Sequence, residues 1–221
     1  SIGRGHQLIM GNVSERRKQP PQVGVSVVIL ALGPVPQSDV GAGAASSGMG
    51  STLWMPLVKR VRQPFLGQWA LPGGGLRADH SLEQSAYSAL ESTTSLHPKY
   101  LEQLYTFGDP ARSHGGLPMV SIVYWALVGE ADGRIDFAGG DNVKWFPVNH
   151  LPELAFDHRT IVEYAMNRLR GKIESPDIAT RLVGERFTLS QLHDVYEAIA
   201  GQRIDLANFR RKMLASGLLE E

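Results

Sequence analysis

Three consecutive glycines, Gly73 to Gly75, stand between an apolar, β-branched run and a segment with the marks of a capped helix. Glycine lets the backbone approach a ligand with no Cβ in the way, at an entropic cost that strands and helices ordinarily avoid. The run before it, Thr52 to Arg62, reads as a strand and leads through PFLGQW to Pro72. After it, SLEQSAYSALEST reads as a helix. Ser81 and Gln84 have the spacing of a capping box, and Leu82, Ala86, Ala89 and Thr93 make a narrow inward stripe. Strand, glycines and capped helix in that order aim backbone N–H groups and the positive end of a helix at one place, which suits a phosphate.

Further strands are expected at Val23 to Leu32, YLEQLYTFG, MVSIVYWALV and VKWFPV, all rich in β-branched or aromatic residues. The first 21 residues lack an apolar period and end at Pro20-Pro21, so they read as a flexible arm. Residues 33–51, rich in Gly, Ser, Ala and Pro, read as a mobile loop. From His150 onward the pattern is helical only, which places a boundary near residue 155 and divides the chain into 22–154 and 155–221.

Composition narrows the function classes. With no cysteine among 221 residues, disulfide scaffolds, thiolate nucleophiles and cysteine-ligated metals are excluded, and the seven histidines lack metal-ligand spacing. No apolar run reaches the roughly 18 residues of a membrane span and the start lacks a secretory signal, so a cytoplasmic protein without membrane association is expected. Lys plus Arg equals Asp plus Glu at 22 each, so nucleic acid would have to be bound by a local patch.

Such a patch is present near the end. In GERFTLSQLHDVYEAIAGQRIDLANFRRKMLASGLLEE, Thr188 and Gln191 cap one helix, with Leu189, Leu192, Val195, Tyr196 and Ile199 inward and Gly201 at its end. Asp205 caps a second helix with Leu206, Phe209 and Met213 inward, which turns Ala207, Asn208, Arg211 and Lys212 outward and leaves Arg210 at the flank. Arg203 precedes it in the turn. Two helices so joined form a helix-turn-helix, and Arg to guanine and Asn to adenine are standard major-groove pairings. Asn208, Arg210, Arg211, Lys212 and Arg203 are therefore the candidate DNA-binding residues.

The segment GQWALPGGGLRADHSLEQSAYSALESTTSL resembles the Nudix box, G-x5-E-x7-R-E-U-x-E-E-x-G-U with U aliphatic. In that family the box carboxylates hold magnesium, which bridges a diphosphate and activates water. With Gly74 as the first glycine, His80 stands at the first Glu, Ser88-Ala89 replace Arg-Glu, Ser92 and Thr93 replace the paired Glu residues, and Ser95 the last glycine. The match covers scaffold and omits the metal ligands, so no catalytic residue and no metal are expected. Asp79, Glu83 and Glu91 are out of register, although Glu83 and Glu91 stand two turns apart and can share a face. Gly73, Gly74 and Gly75 remain as phosphate-binding candidates. Arg60 and Arg62, placed on one strand face by alternation, are candidates for phosphate or an adenine ring; Trp69 can stack a base or anchor the loop, and Arg112 in GDPARSHGG is a weaker candidate for the same pocket.

A Nudix-like domain with an eroded box followed by FTLSQL, VYEAI and NFRRKMLASGLLE is similar to the NrtR family of Nudix-related transcriptional regulators, over roughly residues 22 to 221. The resemblance implies an α+β protein: an N-terminal Nudix-like α/β/α sandwich with a mixed sheet, then a C-terminal winged helix-turn-helix. It implies a homodimer that binds double-stranded operator DNA, represses NAD metabolism genes and senses ADP-ribose or NAD as effector, with no cofactor required. A basic β-hairpin wing is expected to follow the second helix, at or beyond Glu221. Two other readings compete: an ADP-ribose hydrolase using Mg2+ and displaced acids, with the tail as a dimerisation element, and an inactive module that binds another protein.

Overall fold

The computed structural model describes residues 20–37, 50–113, 119–217 and 219. Most of the expected arm, residues 38–49 of the expected loop, residues 114–118, which include the end of GDPARSHGG, and Leu218, Glu220 and Glu221 lie outside the described residues.

The sheet is built on β1 (Gln22–Gly33), whose residues Val27 to Ala31 have no solvent exposure. Continuous β-branched and aliphatic residues suit a strand covered on both faces. Alternation sends Val28 and Leu30 into one apolar cluster and Val27 and Ile29 into the other. β1 pairs in parallel with β6 (Met119–Val128) and antiparallel with β2 (Thr52–Lys59). β3 (Trp69–Ala70) and β7 (Val143–Pro147) pair with β2, and β5 (Glu102–Phe107) with β6. Gly73–Gly75 form a further strand, β4, antiparallel to β1. The sheet is thus mixed and seven-stranded, in the order β3-β2-β1-β6-β5 with β4 and β7 off that path.

Helix α1 (Leu82–Thr94) covers one face with Ala86 and Leu90. The other face is covered by α2 (His158–Gly171), α3 (Pro176–Val183) and α4 (Leu189–Ala200) through Ile161, Leu169, Ile178, Leu182, Val195 and Ile199. Each fully buried aliphatic side chain contributes about 1.5–3 kcal/mol. The core therefore continues past residue 155 without a break. Helix α5 (Leu206–Ser216) packs on α4 through a small third cluster of Phe209, Leu192 and Ala179.

Three local expectations need correction. Strand β2 stops at Lys59, short of Arg62, because Arg60 N–H donates to the Gln68 carbonyl and Gly67 N–H to the Arg60 carbonyl, closing a hairpin loop. Alternation therefore does not place Arg60 and Arg62 on one strand face. In α1 the buried positions are Ala86 and Leu90, while Thr93 is only half-buried. Leu206 is 52% exposed, since α5 meets α4 and Ala179 of α3 along one narrow face, where Phe209 is buried and Met213 partly so.

Candidate functional site

The capping box forms as its spacing predicts: Gln84 N–H donates to Ser81 Oγ (3.1 Å) and Ser81 N–H to Gln84 Oε1 (2.8 Å). It fixes the start of α1 beside β4. Leu90 and Leu96, at the two aliphatic positions of the box, are fully buried, and Ser95 ends the helix in the left-handed conformation (φ 58°) at the position of the box glycine. The box register is thus kept in three dimensions.

β4 and α1 flank an open cavity of about 170 Å³ lined by Gly73–Gly75, Arg77, His80, Ser85, Ser88 and Ser92. Val27 N–H donates to the Pro72 carbonyl and Leu76 N–H to that of Val23. By antiparallel alternation Gly74 then faces β1, and the N–H groups of Gly73 and Gly75 turn away from it. No carboxylate lines the cavity. Magnesium requires several hard, charged oxygen ligands, and neutral hydroxyls do not supply them, so the residues here do not fit the ion that the fold family implies. Glu83 and Glu91 both line an adjoining groove between α1 and residues 97–102, about two helical turns apart. Among the described residues no three His, Asp or Glu side chains converge as a metal site.

The expected effector residues do not all converge. Arg60, Arg62, Trp69 and Arg112 are absent from the lining of the glycine cavity. Arg60 donates from Nε to the Pro64 carbonyl (2.8 Å) and lies 4.7 Å above the Phe156 ring. Arg62 is exposed in the hairpin loop. Trp69 packs edge-on to Phe146 at 5.1 Å, and its carbonyl accepts from Ala155 N–H, so it anchors the loop in the core. Arg112 is committed to structure: Nε and Nη2 hold the Asp157 carboxylate at 2.8 and 3.0 Å, and Nη1 donates among the Phe107 carbonyl, the Met119 carbonyl and Ser121 Oγ. Burial alone would push the Asp157 carboxyl up; the hydrogen bonds and charge of Arg112 outweigh it and hold the group below the usual carboxylate range.

Sequence reasoning missed His158, which is buried beside this pair. Its Nδ1 accepts from Leu71 N–H at 3.0 Å, so the first residue of α2 holds the chain two residues before the glycines. Burial pushes the imidazole down to about 4, with the Asp157 charge opposing and the Arg112 and Arg60 charges assisting. A depressed histidine stabilises the fold fully above its unfolded value of 6.5 and loses that contribution as the pH falls toward 4. The expected loss is about 3 kcal/mol. Denaturant titrations at pH 7.5, 6, 5 and 4.5 should show it, and His158→Gln, which keeps an acceptor, should flatten that part of the profile.

At the C-terminal end, Thr188 and Gln191 form the second capping box and Gly201 ends α4 at φ 67°. Asn208 N–H donates to Asp205 Oδ2 at 3.0 Å, capping α5. His193 and Tyr196 meet the buried Phe209 ring at 5.3 and 5.0 Å. His193 Nε2 lies 2.6 Å from the Ile204 carbonyl and 2.9 Å from Glu197 Oε1; both are acceptors, so this nitrogen carries a proton and ties α4 to the turn. This clamp holds one face of α5 and leaves Asn208, Arg210, Arg211 and Lys212 exposed, with Arg211 donating to Asn208 Oδ1. Arg203 is exposed in the turn.

A mixed α/β/α sandwich carrying the register of a Nudix box, joined to a helix-turn-helix with a basic outer face, defines a Nudix-related DNA-binding regulator. Comparison with known proteins agrees. The family model of the NUDIX domain matches residues 42–165, and that of the NrtR DNA-binding winged helix domain matches residues 179–221. The chain is 31% identical over 169 residues to the ADPR responsive transcriptional repressor NtrR of Acinetobacter baylyi, covering 75% of this chain and 67% of the relative. It is 34% identical to Shewanella oneidensis NrtR in a crystal structure complexed with a 27mer DNA (TM-score 0.68; 88% and 83% covered). A cocrystal structure of the NUDIX domain of that protein with ADP ribose matches at 33% identity (TM-score 0.51; 70% and 92% covered). A Methanocaldococcus jannaschii ADP-ribose pyrophosphatase is 33% identical over 118 residues, 52% of this chain and 67% of the relative. The chain belongs to the NrtR family of Nudix-related transcriptional regulators.

Proposed function

We propose that this protein is a transcriptional repressor of NAD metabolism genes that binds operator DNA as a homodimer and responds to ADP-ribose, acting in the cytoplasm without an obligatory cofactor. The Nudix unit runs through α2, and the DNA-binding unit begins in α3. The observation that carries this reading is the pairing of a Nudix box whose register is intact and whose cavity holds no carboxylate with an exposed basic face on the second helix of a helix-turn-helix. Asn208, Arg210, Arg211 and Lys212 contact DNA, with Arg203 at the flanking backbone. The glycine cavity takes the phosphates of the effector. Arg60 and Arg62 in the neighbouring hairpin loop are the candidates for its outer parts, and Trp69 and Arg112 serve the frame.

A bidentate arginine–guanine contact is worth about 1–3 kcal/mol, so Arg211→Ala should weaken operator binding by roughly 5- to 150-fold with the fold unchanged by circular dichroism. Fluorescence anisotropy on a labelled duplex measures this, and unaltered affinity removes Arg211 from the interface. Affinity should also fall steeply with salt, because each neutralised phosphate releases counterions.

Likeness to the pyrophosphatase over the Nudix half favours a hydrolase as the second reading. That reading requires magnesium-dependent release of AMP from ADP-ribose, abolished by Glu83→Gln or Glu91→Gln.

A further inference from the structure

We propose that Arg181 is the residue through which the Nudix unit holds the first helix of the DNA-binding unit, and that ADP-ribose changes operator affinity through this tie. The inference rests on the ADP-ribose-responsive repressor reading and names the contact that carries the response. Arg181 lies in α3, within the stretch matched by the winged helix model, while Glu102 and Tyr100 lie within the stretch matched by the NUDIX model. Arg181 Nη2 donates to Glu102 Oε1 at 2.7 Å and lies 3.2 Å from Asp177 Oδ2 on its own helix. The guanidinium also stands 5.0 Å above the Tyr100 ring. The hydrogen bond from Arg181 holds the Glu102 carboxyl below the usual carboxylate range, against the opposing effect of burial.

Helix α3 belongs to both units. Ile178 and Leu182 enter the large cluster under the sheet, and Ala179 enters the small cluster with Leu192 of α4 and Phe209 of α5. A helix seated in two close-packed clusters passes a displacement from one to the other, since packed interiors do not deform continuously. Just past β6, Gly129 leaves it no slack: a Cβ there would lie 2.5 Å from the Leu182 carbonyl oxygen.

The other end of the tie reaches the glycine cavity. Tyr100 and Glu102 line the groove beside α1, which shares His80, Ser88 and Ser92 with that cavity. α1 meets the segment bearing them twice: Tyr87 Oη lies 3.3 Å from His97 Nδ1, and Leu96 and Leu101 pack in the cluster of Ala86 and Leu90. A shift of α1 therefore reaches Tyr100 and Glu102 within one packed layer. The tie is also exchangeable. Glu102 is 42% exposed and Asp177 56%, so water can satisfy both carboxylates once the arginine moves, unlike the deeply placed Arg112–Asp157 brace.

Fluorescence anisotropy of the full chain on a labelled operator duplex, with and without saturating ADP-ribose, tests the proposal in the native protein, Arg181→Met, Glu102→Gln and the double variant. Methionine keeps the buried stem and glutamine the shape of Glu102, so all four should fold. ADP-ribose should change the operator affinity of the native protein by about 5- to 150-fold. Each single variant should cut that effect to less than about a third, and the double variant no further, because both substitutions remove one contact. A merely structural contact would lower the melting temperature and leave the ratio of the two affinities unchanged. Either single variant with the native ratio, or a double variant well below both singles, overturns the coupling assignment and leaves the repressor reading intact. Native protein that binds no operator, or binds it indifferently to ADP-ribose, overturns that reading and this inference with it.

Discussion

Replacing Arg112 by alanine is expected to destabilise the protein by about 3 to 5 kcal/mol, the cost of leaving one partner of a buried ion pair uncompensated. The side chain is 9% exposed and Asp157 only 20%, so water cannot readily take over. The loss falls on four groups at once: the Asp157 carboxylate, the Phe107 and Met119 carbonyls and the Ser121 hydroxyl. These join the connection between β5 and β6 to the start of α2, so their release loosens the support of the glycine cavity as well. For a chain of this size the melting temperature should fall by roughly 10 °C. Calorimetry on Arg112→Ala measures it, and the double variant Arg112→Met with Asp157→Leu should recover part of the loss because no charge is left unpaired. A single variant within about 1 kcal/mol of native would show that the brace is solvated after all.

Gly73→Ala is the second large effect. Gly73 adopts φ 149°, and a Cβ there would lie 2.1 Å from the Val25 carbonyl oxygen and 2.8 Å from Ser26 Cα. Both obstacles are backbone of the central strand, so neither can swing aside. Accommodation requires β4 to leave β1, and a loss above about 4 kcal/mol, together with loss of ADP-ribose binding, is expected. Gly74→Ala is the control, since its Cβ would meet nothing within 4 Å. It should stay within about 0.5 kcal/mol of native. Equal behaviour of the two variants in urea titrations would contradict the account.

What could be read from the chain follows the range of the forces involved. Capping boxes at Ser81 and Thr188, the left-handed end at Gly201 and the run from Met119 to Val128 depend on residues within a few positions, and they stand where the sequence puts them. The parallel pairing of β1 with β6 does not, because it joins segments almost a hundred residues apart with four strands and a helix between them. Gly73 to Gly75 pass for a loop by composition and become a strand because β1 offers an open edge there. Arg112 looks like a pocket residue until the fold brings Asp157 to it. His158 and Glu197 carry polar side chains into the interior, where hydropathy gives no signal for them. On α5 the basic outer face was legible from the helical period, while the exposure of Leu206 depends on how little of that helix the rest of the fold covers.

We propose that the two halves of the chain are coupled, so that DNA binding through α5 answers to ADP-ribose in the Nudix unit. Enrichment of random duplexes on the purified protein, with ADP-ribose then titrated into the retained complex and followed by anisotropy, tests it in one preparation. A two-fold symmetric site whose affinity changes by about 5- to 150-fold with ADP-ribose is the predicted result. Failure to retain any sequence, or a specific complex indifferent to saturating ADP-ribose, would contradict it.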